Sequence, residues 1–262
     1  MSPRTSGRLG VGIIGAGHVG PILGAALGAA EHALVGISAV SDAARERVDA
    51  ILPGVPVLSI PDIIERSELV LIAIPEPELA GFVSGVAAVG GWLPGQLVVH
   101  TSAAHGVGVL APARNAGAIP LAIHPAMRFT GTSLDLARLH ESYFAVTAPG
   151  PVLPIAQALV VEMGGEPVVI PEDDRPAYAE AIETASEFSR SIVDQATGIL
   201  AGLGVDSPGA FLSSLVRSSV DDALAHVVPG GSSVPPSIWR ELPREPPDAG
   251  DAPESPLEDG RF

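Results

Sequence analysis

The stretch Leu9-Gly-Val-Gly-Ile-Ile-Gly-Ala-Gly-His-Val-Gly20 decides how this chain is read. A short apolar run, with the character of a buried strand, ends in Gly15-x-Gly17-x-x-Gly20 and passes straight into an Ala-rich helical segment. In a strand–turn–helix of this kind, Gly15 permits the tight turn and Gly17 lets the backbone approach a pyrophosphate. Gly20 lets the helix pack close against the strand. The phosphates then rest on the unpaired N–H groups and positive dipole end of the new helix. His18 and Val19, inside the same turn, are candidate cofactor contacts beside the three glycines. Taken alone, such a triplet is also compatible with a plain glycine-rich turn. Its position after an apolar strand, and before a second strand candidate, favours dinucleotide binding.

Outward from that turn, Ile22 to Ala30 reads as a helix and Ala33 to Val40 as a strand. Ser41 and Asp42 are N-cap candidates for a helix from Ala43 to Ala50. Val57 to Ile60 reads as a short strand and Pro61 to Arg66 as a helical turn or two. Leu69-Val-Leu-Ile-Ala-Ile74, ended by Pro75, is a continuous apolar run, as expected for a strand buried on both faces. A helix from Glu78 to Val89 and the strand Gln96 to His100 follow. Next come a helix from Val107 to Asn115 and strands at Ile119 to Ile123 and Tyr143 to Thr147. A helix from Ile155 to Met163 and the strand Pro167 to Ile170 close the series. Strands alternating with helices of about ten residues describe an α/β fold, a Rossmann doubly wound parallel sheet. That domain is expected over residues 1–172.

The pattern changes after Pro171. Arg175 to Leu203 contains one proline, in its first turn, and carries apolar residues at helical spacing, which implies a long amphipathic helix. Phe211 to Val227 continues as a second helix. A small, truncated all-helical domain is therefore expected over 173–228. Residues 229–262 are rich in Pro, Gly, Asp and Glu and are expected to be disordered, with Ile238, Trp239 and Leu242 as the only anchors.

Composition narrows the chemistry. The 262 residues are 47% hydrophobic, enough for a sizeable core. Cysteine is absent, which excludes disulfides, thiolate zinc sites and a Cys nucleophile. Lysine is absent too, so no Schiff base or Lys proton donor is available. A formal net charge of −16 opposes binding to nucleic acid or anionic membrane and suits a cytoplasmic protein. No apolar stretch reaches the length of a membrane span, and the first apolar run reads as a core strand rather than a signal peptide.

The end of the second strand discriminates between dinucleotides, because NAD sites place an acid there and NADP sites a hydroxyl and arginines. Here it reads Ala39-Val40-Ser41, with Arg45 and Arg47 in the next turn, which favours NADP through Ser41 and Arg45. Asp42 could instead serve a ribose, or simply cap the helix. Pro75, counted at the end of a fourth strand, would wall the nicotinamide side, although it is equally a helix-start signal. Two strand ends are polar: Val98-Val-His-Thr-Ser102 and Ala122-Ile-His-Pro-Ala-Met127. Ser102 and His124 would share the sheet's carboxyl edge with the glycine turn. A proton donor, or a dipole facing developing charge, is needed there for hydride transfer to a carbonyl or imine. His100 and His105 are weaker candidates. No metal site is expected, since the histidines lack ligand spacing.

Taken together these motifs resemble the actinobacterial Rossmann-like proteins with a C-terminal DUF2520 domain, within the 6-phosphogluconate dehydrogenase-like superfamily. The matching pieces, spread over about residues 9 to 178, are the glycine turn, Ile37-Ser-Ala-Val-Ser41, Val99-His-Thr-Ser102 and Gly106-Val-Gly-Val-Leu-Ala-Pro112. They continue through Pro120-Leu-Ala-Ile-His-Pro-Ala-Met127, Phe129-Thr-Gly131, Phe144-Ala-Val-Thr-Ala148 and Glu162-Met-Gly-Gly-Glu-Pro167. The resemblance implies an NADP-type reductase architecture, a helical domain that closes over substrate and forms homodimers, and reduction of 2-oxo acids such as ketopantoate. Such proteins place histidines and an asparagine on the long helix after the residue matching Tyr178. This chain has Ala179, Thr184, Glu187 and Phe188 instead. Where the family has further helices it runs into Val227-Val-Pro-Gly-Gly and an acidic, proline-rich tail, so that about the last third of the helical domain is expected to be missing or replaced. Glu187 then reads either as a new acid in the cleft or as part of a solvated charged stripe. Two functions follow: an NADP-dependent oxidoreductase acting on a small carbonyl or imine, or a catalytically degenerate NADP-binding or partner-binding protein.

Overall fold

The computed structural model describes residues 8–226. β1 (Gly10–Ile14) leads through the glycine turn into α1 (Gly20–Ala29), followed by β2 (Ala33–Ser38), α2 (Asp42–Ile51) and α3 (Ile60–Arg66). β3 (Leu69–Ile72), α4 (Glu76–Ala88), β4 (Leu97–His100), α5 (Ala111–Asn115) and β5 (Ile119–Pro125) come next. α6 (Leu134–Leu139), β6 (Tyr143–Thr147), α7 (Leu153–Glu162) and β7 (Glu166–Val169) complete the sheet, and α8 (Arg175–Gly202) and α9 (Pro208–Ala225) follow.

The seven strands lie in the order β2-β1-β3-β4-β5-β6-β7. Alternate residues of the central strands divide the core into two layers. Val11, Ile13, Leu69, Leu71 and Val99 pack with Ile22 and Leu23 of α1, Val48 of α2 and Leu159 of α7. Ile14, Val70, Ile72 and Val98 pack with Ile63 of α3 and Leu79 and Val83 of α4. Both faces are covered, which is why these strands read as unbroken apolar runs.

Three sequence expectations are corrected. The sheet is parallel except at β5 and β6, which are antiparallel. The chain between them carries only the six-residue α6, packed toward α1, and no long helix returns it along the sheet face. Val57–Ile60 is not a strand. Val57 forms one bridge to Ile37, while Ser59 caps α3 by accepting the Asp62 N–H at 3.3 Å and Pro61 fits its first turn. Leu69–Ile72 is consequently the third strand rather than the fourth, with Pro75 just beyond it.

The chain divides into two units, Met1–Ile192 and Val193–Phe262. The first holds the whole sheet and the first turns of α8. In the second, α9 leaves Phe211, Leu215 and Leu224 exposed. Among the described residues, no helix is long and apolar enough to cross a membrane. Ile238, Trp239 and Leu242 lie outside the described residues.

Candidate functional site

β1 lies between β2 and β3, so the chain order reverses there, and a crevice opens beyond the carboxyl ends of such strands. The glycine turn fills that position. Gly15 has φ +108°, and a Cβ on it would lie 2.3 Å from the Ala73 carbonyl oxygen. A Cβ on Gly20 would lie 2.1 Å from the Gly15 carbonyl oxygen. Both positions are closed by backbone, which no side-chain movement relieves. Gly17 is different: a Cβ there would meet nothing within 4 Å. Ser38 Oγ accepts the Gly15 N–H at 3.0 Å and fixes the turn from the β2 side. No side chain caps α1 and no acid stands in its first turn, so its N-terminal N–H groups face the open side. These residues fit a diphosphate.

At the end of β2 the side chains sort themselves. Ser41 caps α2, accepting the Ala44 N–H at 3.2 Å. Arg45 is exposed, and its side chain makes no hydrogen bond or ion pair among the described residues. Arg47 instead reaches back to donate to the Ala16 carbonyl at 2.8 Å. Gly131, at φ +74°, lies against His18 and Arg47, which a Cβ would approach to 2.6 and 3.1 Å. Buried Asp135 holds that loop by accepting the N–H groups of Thr130 and Gly131 at 2.7 and 2.8 Å. Burial raises the Asp135 pKa, but the hydrogen bonds from Gly131 and Thr130 outweigh it and leave the carboxyl below its ordinary value.

Ile14, Ile72, His100 and Ala122 are in register across β1, β3, β4 and β5, so Pro75, Ser102 and His124 all emerge at the same carboxyl edge. Pro75 is exposed at the start of α4. Ser102 Oγ donates to Glu76 Oε2 at 2.5 Å and accepts the His105 N–H at 3.3 Å. His100 is closed on both sides: its Nδ1 accepts the Ser102 N–H at 3.2 Å, so its Nε2–H donates to the Gly106 carbonyl at 2.8 Å. His124 Nδ1 lies 2.8 Å from the Tyr178 hydroxyl, and its Nε2 has no hydrogen bond among the described residues. Burial, with the Arg175 charge, pushes both histidines down to a pKa of about 4, so both are neutral near pH 7.

Other residues complete the edge without having been singled out from sequence. Arg175 opens α8 fully buried, and Tyr178 stands one turn later on the same face. Glu172 accepts the N–H groups of Val107 and Gly108 at 2.7 and 2.8 Å and fixes the turn after His105. The one available signal was the helical spacing of Arg175 and Tyr178. The pairings of Glu76 and Glu172 join segments far apart in the chain. Glu187 is exposed on α8, and its side chain has no hydrogen bond or ion pair among the described residues.

An α/β unit with an open glycine turn at its switch point and polar strand ends beside it defines a Rossmann-type domain. A Rossmann-like domain model matches residues 2–125, and the domain of unknown function DUF2520 matches residues 142–233. The chain is thus a Rossmann-like protein with a C-terminal DUF2520 domain. A comparison with curated proteins finds no match. Among solved structures, the chain is similar to 1-pyrroline-5-carboxylate reductase from Streptococcus pyogenes, at TM-score 0.62 and 18% identity over 90% of this chain and 86% of that one. It is also similar to an imine reductase from Pseudomonas sp., at TM-score 0.62 and 15% identity over 83% and 75%. Pyrroline carboxylate reductase from Plasmodium falciparum with NADP bound gives TM-score 0.57 and 10% identity over 83% and 78%. At these identities the likeness is one of fold.

Proposed function

We propose that this protein is an NADP-dependent oxidoreductase that reduces a small carbonyl or imine. The observation that carries the reading is a juxtaposition. The open Gly17 side of the turn after β1 and the free Nε2 of His124 on β5 lie along one carboxyl edge of the sheet, with the ends of β3 and β4 between them. The fold likeness to reductases, one of them with NADP bound, supports it.

In this reading Gly15, Gly17, His18, Val19 and Gly20 hold the diphosphate, and Ser41, Arg45 and Arg47 face the 2′-phosphate. Pro75 walls the nicotinamide side. When bound, the reduced cofactor supplies a hydride. His124, neutral at pH 7, presents an N–H to the oxygen or nitrogen where charge develops. Ser102, held by Glu76, orients the substrate. The exposed apolar side chains of α8 and α9, Phe188 and Ile192 in one unit and Phe211 and Leu215 in the other, suit a homodimer of helical domains. Nothing in the geometry assigns Glu187 a catalytic task, and a solvated position on α8 accounts for it. That favours, as the second reading, an NADP-binding protein that has lost its chemistry.

Titration with NADPH and NADH, followed by nicotinamide fluorescence, tests the cofactor. NADPH is expected to bind more tightly, and failure of both to bind would end the two readings together. A panel of 2-oxo acids and cyclic imines added to the NADPH complex separates them. Tight binding without oxidation of the cofactor leaves only the second.

A further inference from the structure

α8 begins inside the sheet edge with a cation that has no ion-pair partner among the described residues. The Arg175 guanidinium is fully buried and donates to Thr147 Oγ1 at 2.7 Å, to the Ala122 and Ala145 carbonyls at 3.1 Å each, and to the Ser102 carbonyl at 3.4 Å. All four acceptors are neutral, and Arg175 has no ion pair among the described residues. Glu172, whose charge reaches it, is engaged by the N–H groups of Val107 and Gly108, and Glu76 by Ser102. A buried charge left in this state is costly, so its field is available to any negative charge that forms nearby.

Tyr178 is the group placed to use that field. Its ring centroid lies 5.8 Å from the guanidinium carbon, and its hydroxyl lies 2.8 Å from His124 Nδ1. The two rings meet edge to face, 5.5 Å apart at 78°. A phenol is the stronger donor and an imidazole nitrogen the stronger acceptor, so the O–H donates to Nδ1. The ring proton of the neutral imidazole then sits on Nε2. That nitrogen is the one left free at the carboxyl edge.

We infer that Tyr178 and His124 form a two-member proton relay, with Nε2–H of His124 as its delivering end and buried Arg175 supporting the phenolate left behind. The inference rests on the reductase reading and narrows it to carbonyl substrates. The carbonyl carbon receives a hydride from the reduced nicotinamide dinucleotide, and the C=O π pair moves to oxygen. That oxygen takes the proton from Nε2 and Nδ1 takes the phenol proton; solvent then reprotonates Nε2 as Nδ1 returns its proton to the Tyr178 phenolate, which restores the starting tautomer. An iminium already carries its proton and becomes a neutral amine on receiving hydride, so the relay would have nothing to deliver. The unpaired guanidinium would also repel it. Tyr178 acts through His124, and Arg175 through Tyr178, so both are positioning residues.

Three measurements on the full chain test this. In ¹⁵N-histidine NMR, with the His124 signals assigned by loss in His124→Gln, the wild type is expected to show a single Nε2–H tautomer. Tyr178→Phe is expected to show a mixture. The chain has two tyrosines, so in a Tyr143→Phe background the tyrosinate absorbance follows Tyr178 alone. Arg175→Gln should raise its ionisation by about 1 pH unit or more. If Arg175→Gln does not fold, Tyr178→Phe carries the test. Finally, Tyr178→Phe should lower kcat for a 2-oxo acid on the order of 10²-fold, with NADPH affinity within about twofold of wild type. A fixed Nδ1–H tautomer, or a Tyr178→Phe kcat within about twofold of wild type, overturns the relay while leaving the reductase reading standing. A wild-type chain that binds no nicotinamide cofactor or reduces no carbonyl removes both.

Discussion

His100 and His124 end adjacent strands at the same edge, and burial holds both to a pKa of about 4, yet their surroundings differ. His100 has both ring nitrogens committed, to the Ser102 N–H and the Gly106 carbonyl, and is fully buried. His124 has one nitrogen committed, to Tyr178, and one free. A perturbed pKa therefore does not separate a histidine whose ring is used up in holding a loop from one with a nitrogen left open. The count of free nitrogens does. The glycine turn repeats the contrast, with Gly15 and Gly20 closed by backbone and Gly17 open.

The sharpest way to break this comparison is to remove each imidazole. His124→Ala should lower turnover of a 2-oxo acid on the order of 10²- to 10⁴-fold with little change in Tm. His100→Ala should cost about 3 kcal/mol of stability, a drop of roughly 6–12 °C, because a buried ring and two hydrogen bonds are lost. Steady-state kinetics and thermal unfolding of the two variants decide it. Equal losses of stability would erase the distinction.

The glycines give the next test. Gly20→Ala should cost about 3 kcal/mol, because its Cβ meets the Gly15 carbonyl. Gly17→Ala should leave stability within about 0.5 kcal/mol but weaken NADPH binding about tenfold. Chemical denaturation and fluorescence titration read the two effects separately.

Acid should act on the closed histidine through the fold. The folded-state pKa of His100 lies below the unfolded 6.5, so as pH falls the unfolded chain takes up the proton first. Stability is then full above pH 6.5, declines through the interval down to about 4, and levels off below it. For His100 the loss amounts to roughly 3 kcal/mol. Urea midpoints measured across this range should fall about half as steeply in His100→Gln, the remaining slope coming from His124. The smallest expected effect concerns the arginines after β2. Arg47→Gln should weaken NADPH binding more than Arg45→Gln, by about threefold, since only Arg47 reaches the turn.

Much of the fold was legible because the sheet is covered on both faces, so that Leu69–Ile72 and residues 97–99 appear as uninterrupted apolar runs. The glycine turn was legible because backbone clashes demand glycine at Gly15 and Gly20. The reversal of β6 was not, since a strand's residues carry no record of its direction. Ser102 and His124 could be placed at one edge by counting along their strands. The partners that give them chemical meaning, Glu76 and Tyr178, could not, because those contacts span 26 and 54 residues. Arg45 looked equivalent to Arg47 in sequence; two residues of helix rotation separate one that faces solvent from one that reaches the turn.

The first turn of α8 is threaded into the α/β unit as a rivet. Through Arg175 it ties together the backbone beyond β4 and strands β5 and β6, three pieces that arrive from separate parts of the chain. A fragment trimmed just ahead of that arginine would strip four acceptors of their donor at one stroke. The later turns of the helix hold no such set of backbone acceptors, so changes to them should leave the anchored root in place.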